Sequence, residues 1–260
     1  MNEVNIRSID GHIVNGTFRS ARESGDTGIA CLLVHGITAD RHEWGFFDYL
    51  TDALHELDVA TLSIDYRGHG ESKLSQEHIS LSGIYSDIAA SWSWFQKAGS
   101  WTESILIGNS FGAGVAYVFG QLEQSASRIV LTCPVTSYLA DLGRVNPAWA
   151  TEIDRGSVKY ANMALSSGVV SEMMAYDSII ASLPSSKRAD VIHGTDDADV
   201  PYEEVALFAS KRRHLTLHPM AGMDHSFSAP PGSRETSDYL RASAAHYIAN
   251  LLVRKVDDRV

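Results

Sequence analysis

Short apolar runs alternate along this chain with longer segments whose apolar residues recur at helical spacing, and that alternation restricts the fold more than any other feature. Strands buried on both faces of a parallel sheet read as nearly continuous apolar runs, and each needs a crossover to reach the next. Residues 29–34, 59–64, 104–107, 128–131, 189–192 and 214–217 have that character. Between them, Leu81, Ile84, Tyr85, Ile88, Ala89, Trp92 and Phe95 fall on one helix face. Phe47, Leu50, Leu54 and Leu57 repeat the pattern, as do Phe111, Val115, Val118 and Leu122, and at the end Leu240, Ala244, Tyr247 and Leu251. Residues 4–9 and 13–20, split by Asp10-Gly11, read as an antiparallel hairpin. The expected class is α/β: a mostly parallel central sheet flanked by helices.

One stretch breaks the rhythm. Residues 135–188 span roughly fifty positions where a crossover needs a dozen or two, so we read them as an inserted cap on a core formed by 1–134 and 189–260. At 260 residues the chain fits one such domain. Tyr138, Trp149, Tyr160, Met163, Met173, Met174 and Tyr176 are scattered through the insertion. They can form an adaptable apolar binding wall or simply pack the cap on its base.

Composition removes several function classes. The net charge is -11, and no stripe of Lys and Arg is present to replace the counterions of a nucleic acid, so no nucleic-acid partner is expected. Cys31 and Cys133 each sit in or beside an apolar run and read as small buried hydrophobes; no disulfide framework or redox pair is present. No apolar run approaches the roughly 18 residues of a membrane span, and the first residues lack a signal-peptide core. No membrane span and a cytoplasmic location are therefore expected. The oligomeric state stays open, with a homodimer allowed for.

The chemistry concentrates in three segments. Gly108-Asn109-Ser110-Phe111-Gly112 fits G-x-S-x-G, directly after an apolar strand and directly before an amphipathic helix. A strand-to-helix turn that sharp leaves no room for side chains two positions either side of the serine, which is where Gly108 and Gly112 stand; Gly114 adds room for close helix-to-sheet approach. No Gly-Lys-Ser/Thr follows, which excludes a nucleotide loop. A serine hydroxyl is a weak nucleophile and needs a base and a group to orient that base. Residues 193–201, with Asp196, Asp197 and Asp199, follow one expected strand, and Gly222-Met223-Asp224-His225-Ser226-Phe227 follows the next. Serine, acid, histidine is the chain order of such triads on an α/β sheet. All these segments begin where a strand ends, hence at one carboxyl edge, where open α/β sheets bind ligands.

With these motifs the chain resembles the α/β-hydrolase superfamily, and within it the feruloyl or cinnamoyl esterase-like small serine esterases. The resemblance covers nearly everything except the cap. It places the acid in a G-x-x-D-x-x-V-P pattern that falls on Gly194, Asp197, Val200 and Pro201, selecting Asp197 over its neighbours. It places the base in G-x-D-H-S-F, selecting His225; His218 is the nearest rival and reads as a loop residue. It implies that His35-Gly36-Ile37 forms an oxyanion-hole loop in which the backbone N–H groups of Ile37 and Phe111 donate, with His35 structural. Residues 65–72 resemble a structural loop, with Asp65 and Arg67 expected to pair. The elbow carries Asn109 where many relatives have histidine. The implied activity is hydrolysis of a small or medium acyl or aryl carboxylic ester through an acyl-enzyme, with a small-molecule substrate and neither cofactor nor metal. An acyl thioesterase using the same triad is one alternative, and a non-catalytic ligand-binding protein on the same fold is another.

Overall fold

A computed structural model describes residues 1–22, 28–184, 186–228 and 234–257. An eight-stranded sheet among the described residues forms its centre, its strands lying in the spatial order 2–7, 13–19, 60–65, 29–34, 103–109, 128–132, 189–194 and 215–220. β1 (Asn2–Arg7) and β2 (Ile13–Arg19) make the expected hairpin, and β2 joins antiparallel to β4 (Ala60–Asp65). From there β3 (Ile29–Val34), β5 (Glu103–Asn109), β6 (Arg128–Thr132), β9 (Ala189–Gly194) and β10 (Leu215–Met220) continue in parallel. Every strand expected from an apolar run is present, displaced at its ends by at most a few residues.

Side chains alternate across a strand, and β3 shows what that does to the core. Ala30, Leu32 and Val34 point into a cluster with Ile84, Ile88, Trp92 and Phe95 of α2 (Leu81–Lys97) and Val115 and Val118 of α3 (Ser110–Leu122). Ile29, Cys31 and Leu33 point the other way, toward Phe47, Leu50 and Leu54 of α1 (Phe46–Glu56) and the C-terminal helix α8 (Arg234–Asp257). Both cysteines are free and buried. The sheet is therefore covered on both faces.

The face expected for α8 is rotated. Ala244, Ala245, Ile248, Ala249 and Leu252 are buried, whereas Tyr247 is 42% exposed and Leu251 only partly buried. Alanines carry the contact because α8 lies against α1, and small side chains let helices approach closely. Leu122, expected on the buried face of α3, is exposed at the helix end.

Residues 135–188 hold α4 (Tyr138–Val145), the single turn α5 (Trp149–Glu152), an antiparallel pair β7 (Ser157–Tyr160) and β8 (Met163–Ser166), and α6 (Gly168–Ser182); α7 (Tyr202–Ser210) follows β9. Asp177 of α6 accepts from the Tyr138 and Leu139 backbone N–H groups at 2.6 and 3.1 Å and so caps α4. Tyr138, Leu142, Met163, Val170, Met173 and Tyr176 merge into the cluster that also holds α2 and α3. Among the described residues, this segment packs on the core through that shared cluster.

Candidate active site

The turn from β5 into α3 at Ser110, the expected nucleophile elbow, is built by steric exclusion. β5 ends at Asn109, and Ser110 opens α3 with φ at 49°, a left-handed conformation that costs a non-glycine residue energy and persists only under local constraint. A Cβ at Gly108 would sit 2.7 Å from the Ala116 Cβ, and one at Gly112 would run into the His35 carbonyl oxygen. A Cβ at Gly36 would lie 2.9 Å from that of Ser110, so the β3 loop lies directly against the elbow. Gly114 does something different from the expectation: a Cβ there would strike the Tyr138 hydroxyl. It makes room for α4, and the Tyr138 hydroxyl donates to the Phe111 carbonyl at 2.7 Å.

Ser110, His225 and Asp197, separated by up to 115 positions, meet at the carboxyl edge. The Ser110 hydroxyl lies 2.8 Å from His225 Nε2, and His225 Nδ1 lies 2.7 Å from Asp197 Oδ2. An ionised carboxylate can only accept, so Nδ1 carries the proton and Nε2 is free to accept from serine. Burial alone would raise the Asp197 pKa. Hydrogen bonds from His193 and His225, the His225 charge and the Val200 N–H at 2.9 Å outweigh it and hold the carboxyl well below the usual range. Burial lowers the His225 pKa, but the Asp197 hydrogen bond and charge override it, and the net direction is up. Asp196 and Asp199 are exposed in the same loop, and Asp199 gives its N–H to Asp197 at 3.0 Å.

Ile37 and Phe111 flank this serine. No acceptor among the described residues takes the Ile37 N–H, and Phe111 lies in the first turn of α3, where N–H groups have no intrahelical partner. His35 is fully buried, stacks on Tyr66 at 3.9 Å and places Nδ1 2.6 Å from the Gly36 carbonyl; burial pushes its pKa well down, which keeps the ring neutral. The elbow residue Asn109 accepts from Thr132 at 2.6 Å. His218 is a strand residue of β10 rather than a loop residue, tied to Asp190 and Tyr247 at 2.9 and 2.8 Å, away from the serine.

The expected Asp65–Arg67 pair does not form. Asp65 takes Arg41 at 2.7 Å and the Glu71 N–H, while Arg67 forks onto Asp87 of α2 and reaches Asp10 at 2.7 Å. The chain turns after Tyr66, which sends the two side chains to different neighbours.

A cavity of about 430 Å³ opens on Ser110 and His225. Ile37, Trp44, Val145 and Val200 supply apolar wall; Asp141, Arg144 and Tyr160 supply a polar one. The Tyr160 hydroxyl donates to Asp141, which also takes Arg144 at 2.8 Å. Of the aromatics and methionines singled out in the insertion, Tyr160 alone lines this cavity among the described residues. Met163 and Met173 are buried in the core and Met174 is exposed.

Sequence reasoning passed over Asp141, Arg144, His193 and Glu43. His193, four positions before Asp197, sets Nε2 3.2 Å from the same Oδ2 that His225 holds, and 2.8 Å from the Val200 carbonyl. Ligand atoms of Cys133, His193 and Asp197 lie within 4.8 Å of one another, as do those of Asp197, Asp199 and His225. Both groups share a carboxylate already engaged by histidines. Burial pushes the Cys133 thiol well up, which disfavours a thiolate ligand.

Residues 26–178 match the family described as serine aminopeptidase, S33. The chain belongs to that family. The match covers the loop at His35–Ile37, the turn at Ser110 and most of residues 135–188 of this S33 chain. Its fold is that of Est1E from Butyrivibrio proteoclasticus, solved with ferulic acid bound: TM-score 0.83, 18% identity, 98% of this chain and 99% of that one. A putative hydrolase from Agrobacterium vitis S4 superposes at TM-score 0.71 with 19% identity, over 94% and 96% of the two chains. Mouse alpha/beta hydrolase domain-containing protein 10 does so at 0.73 with 12% identity, over 96% and 100%. At these identities the likeness establishes the α/β-hydrolase fold of the S33 chain. No curated protein matches its sequence. No helix among the described residues is long and apolar enough to cross a membrane.

Proposed function

We propose that this S33 family member is a serine esterase acting on a small or medium acyl or aryl carboxylic ester, with residues 135–188 serving as a cap over the site. The Ser110 oxygen attacks the ester carbonyl carbon while its proton passes to His225 Nε2. Asp197 fixes the imidazole tautomer and faces the imidazolium, and the Ile37 and Phe111 N–H groups receive the oxyanion. Collapse of the tetrahedral intermediate breaks the bond to the alcohol oxygen, which takes the proton from His225. Water, deprotonated by His225, then releases the acid from Ser110.

The observation that carries this reading is the unbroken line of hydrogen bonds at 2.7 and 2.8 Å from Asp197 through His225 to Ser110. A receptor on the same fold would have no use for a serine kept at φ 49° beside a histidine oriented to accept its proton. Ferulic acid in the Butyrivibrio structure makes hydroxycinnamate esters the first aryl substrates to try, and the mixed apolar and polar wall suits an aryl group with a polar substituent.

Ser110→Ala should leave the fold intact and lower turnover of p-nitrophenyl esters by about three orders of magnitude or more. Wild-type rates in that variant would refute the assignment. Rates on methyl hydroxycinnamates, acyl-coenzyme A thioesters and aminoacyl anilides separate esterase from thioesterase and from the peptidase activity in the family's description; the ester series should be fastest.

A further inference from the structure

Glu43 is a charged residue placed where a charge is costly. It lies in a short 3-10 turn before α1, has φ at 47°, is 8% exposed and borders the cavity that holds Ser110 and His225. Its Oε2 accepts from the Gly36 N–H at 2.5 Å, and the nearby Asn109 side chain helps to lower its pKa. Gly36 immediately precedes Ile37 and packs on Ser110; Asn109 immediately precedes Ser110 and Phe111. One carboxyl group therefore holds the segment that carries one proposed oxyanion donor at the point where it lies against the segment that carries the other. A buried carboxyl kept there at a desolvation cost needs a compensating role.

We infer that Glu43 is a positioning residue for the oxyanion hole: by holding the Gly36 amide, which packs directly on Ser110, it fixes the Ile37 N–H relative to Ser110 and the Phe111 N–H, and it sets a further negative charge facing His225. The inference rests on the esterase reading and concerns the same site. Burial pushes the Glu43 carboxyl up to about 7, opposed by the Gly36 hydrogen bond, the His225 charge and Asn109. The charged or ionisable groups facing it are His225, Asp40 and the buried Tyr66. His225 in turn is held toward its protonated form by Asp197 first, then by Asp199 and Glu43. As the Ser110 proton arrives on His225, Glu43 is a further anion to oppose the new positive charge.

Two variants test this, each checked for folding by circular dichroism. Glu43→Gln keeps the reach to Gly36 but removes the charge. Its kcat on a p-nitrophenyl ester should fall about 10- to 100-fold with KM changed less than about threefold, because a neutral acceptor holds the Gly36 amide more weakly and no longer opposes the imidazolium, both of which matter more in the transition state than in the ground state. The acid limb of its kcat/KM profile should also move to lower pH, since His225 loses a stabilising anion. Glu43→Asp keeps the charge but shortens the reach, and should lose kcat similarly while the acid limb stays near its wild-type position. A boronic acid that forms a tetrahedral Ser110 adduct should bind both variants more weakly by a factor like that lost in kcat. Either folded variant overturns the inference if its kcat and boronate affinity equal those of wild type. For Glu43→Gln, a kcat loss with an unmoved acid limb also overturns the electrostatic part. An inactive Ser110→Ala beside a fully active Glu43→Gln would remove this inference alone; an active Ser110→Ala would remove the esterase reading beneath it.

Discussion

Asp197 is the most heavily engaged carboxylate of the site: two histidines, two backbone N–H groups and a buried thiol surround it. Asp197→Asn keeps the shape but can present an amide N–H to His225 and impose the wrong tautomer, so kcat should fall about 10³- to 10⁴-fold, measured under saturating ester. The raised His225 pKa sets the direction of the pH dependence. In the proposed mechanism the base must be neutral, so kcat/KM should climb with pH through an acid limb lying above the 6.5 of an unperturbed histidine and level off beyond it. Glu43 has the opposite bearing on stability. Its folded pKa lies above the unfolded value, so the neutral form is favoured by folding, and stability falls as pH rises from about 4.5 to about 7. Glu43→Gln should accordingly melt higher than wild type at pH 8 and near wild type at pH 4.5, as followed by thermal denaturation. Ser110 and His225 were legible in the sequence because glycine spacing and chain order mark them. Glu43 was not: a lone acid in a loop carries no pattern, and its meaning comes from the Gly36 amide, seven positions away and brought back by a turn.

Elements were legible wherever burial imposes a period. The six core strands and α1, α2 and α3 followed from apolar runs and helical spacing, because a sheet covered on both faces leaves its strands few polar options. The registration of α8 was not legible, since its buried face is largely alanine, which scores weakly in any apolar pattern yet lets α8 lie close to α1. Ion-pair partners were misread for the same reason that Glu43 was missed: Asp65 and Arg67 are neighbours in sequence, but the turn after β4 separates them. The hold of α4 on the elbow gives a prediction at this scale. Tyr138→Phe removes the hydrogen bond to the Phe111 carbonyl and should cost about 1 kcal/mol in urea unfolding.

Across the whole molecule, Arg67 links three distant parts of the chain: the β1–β2 hairpin through Asp10, the loop after β4, and α2 through the fully buried Asp87. Arg67→Ala would leave Asp87 buried without its counter-charge and should destabilise the protein by about 3–5 kcal/mol in urea unfolding. The same long-range convergence brings the segments after β3, β5, β9 and β10 to one edge of the sheet, where the proposed chemistry resides. That central proposal is tested most directly by treating the protein with a fluorophosphonate and locating the adduct by peptide mass spectrometry. A single adduct on Ser110, formed far more slowly when His225 is replaced by alanine, is the predicted result. An adduct on another residue, or labelling of Ser110 at an unchanged rate without the histidine, would contradict it.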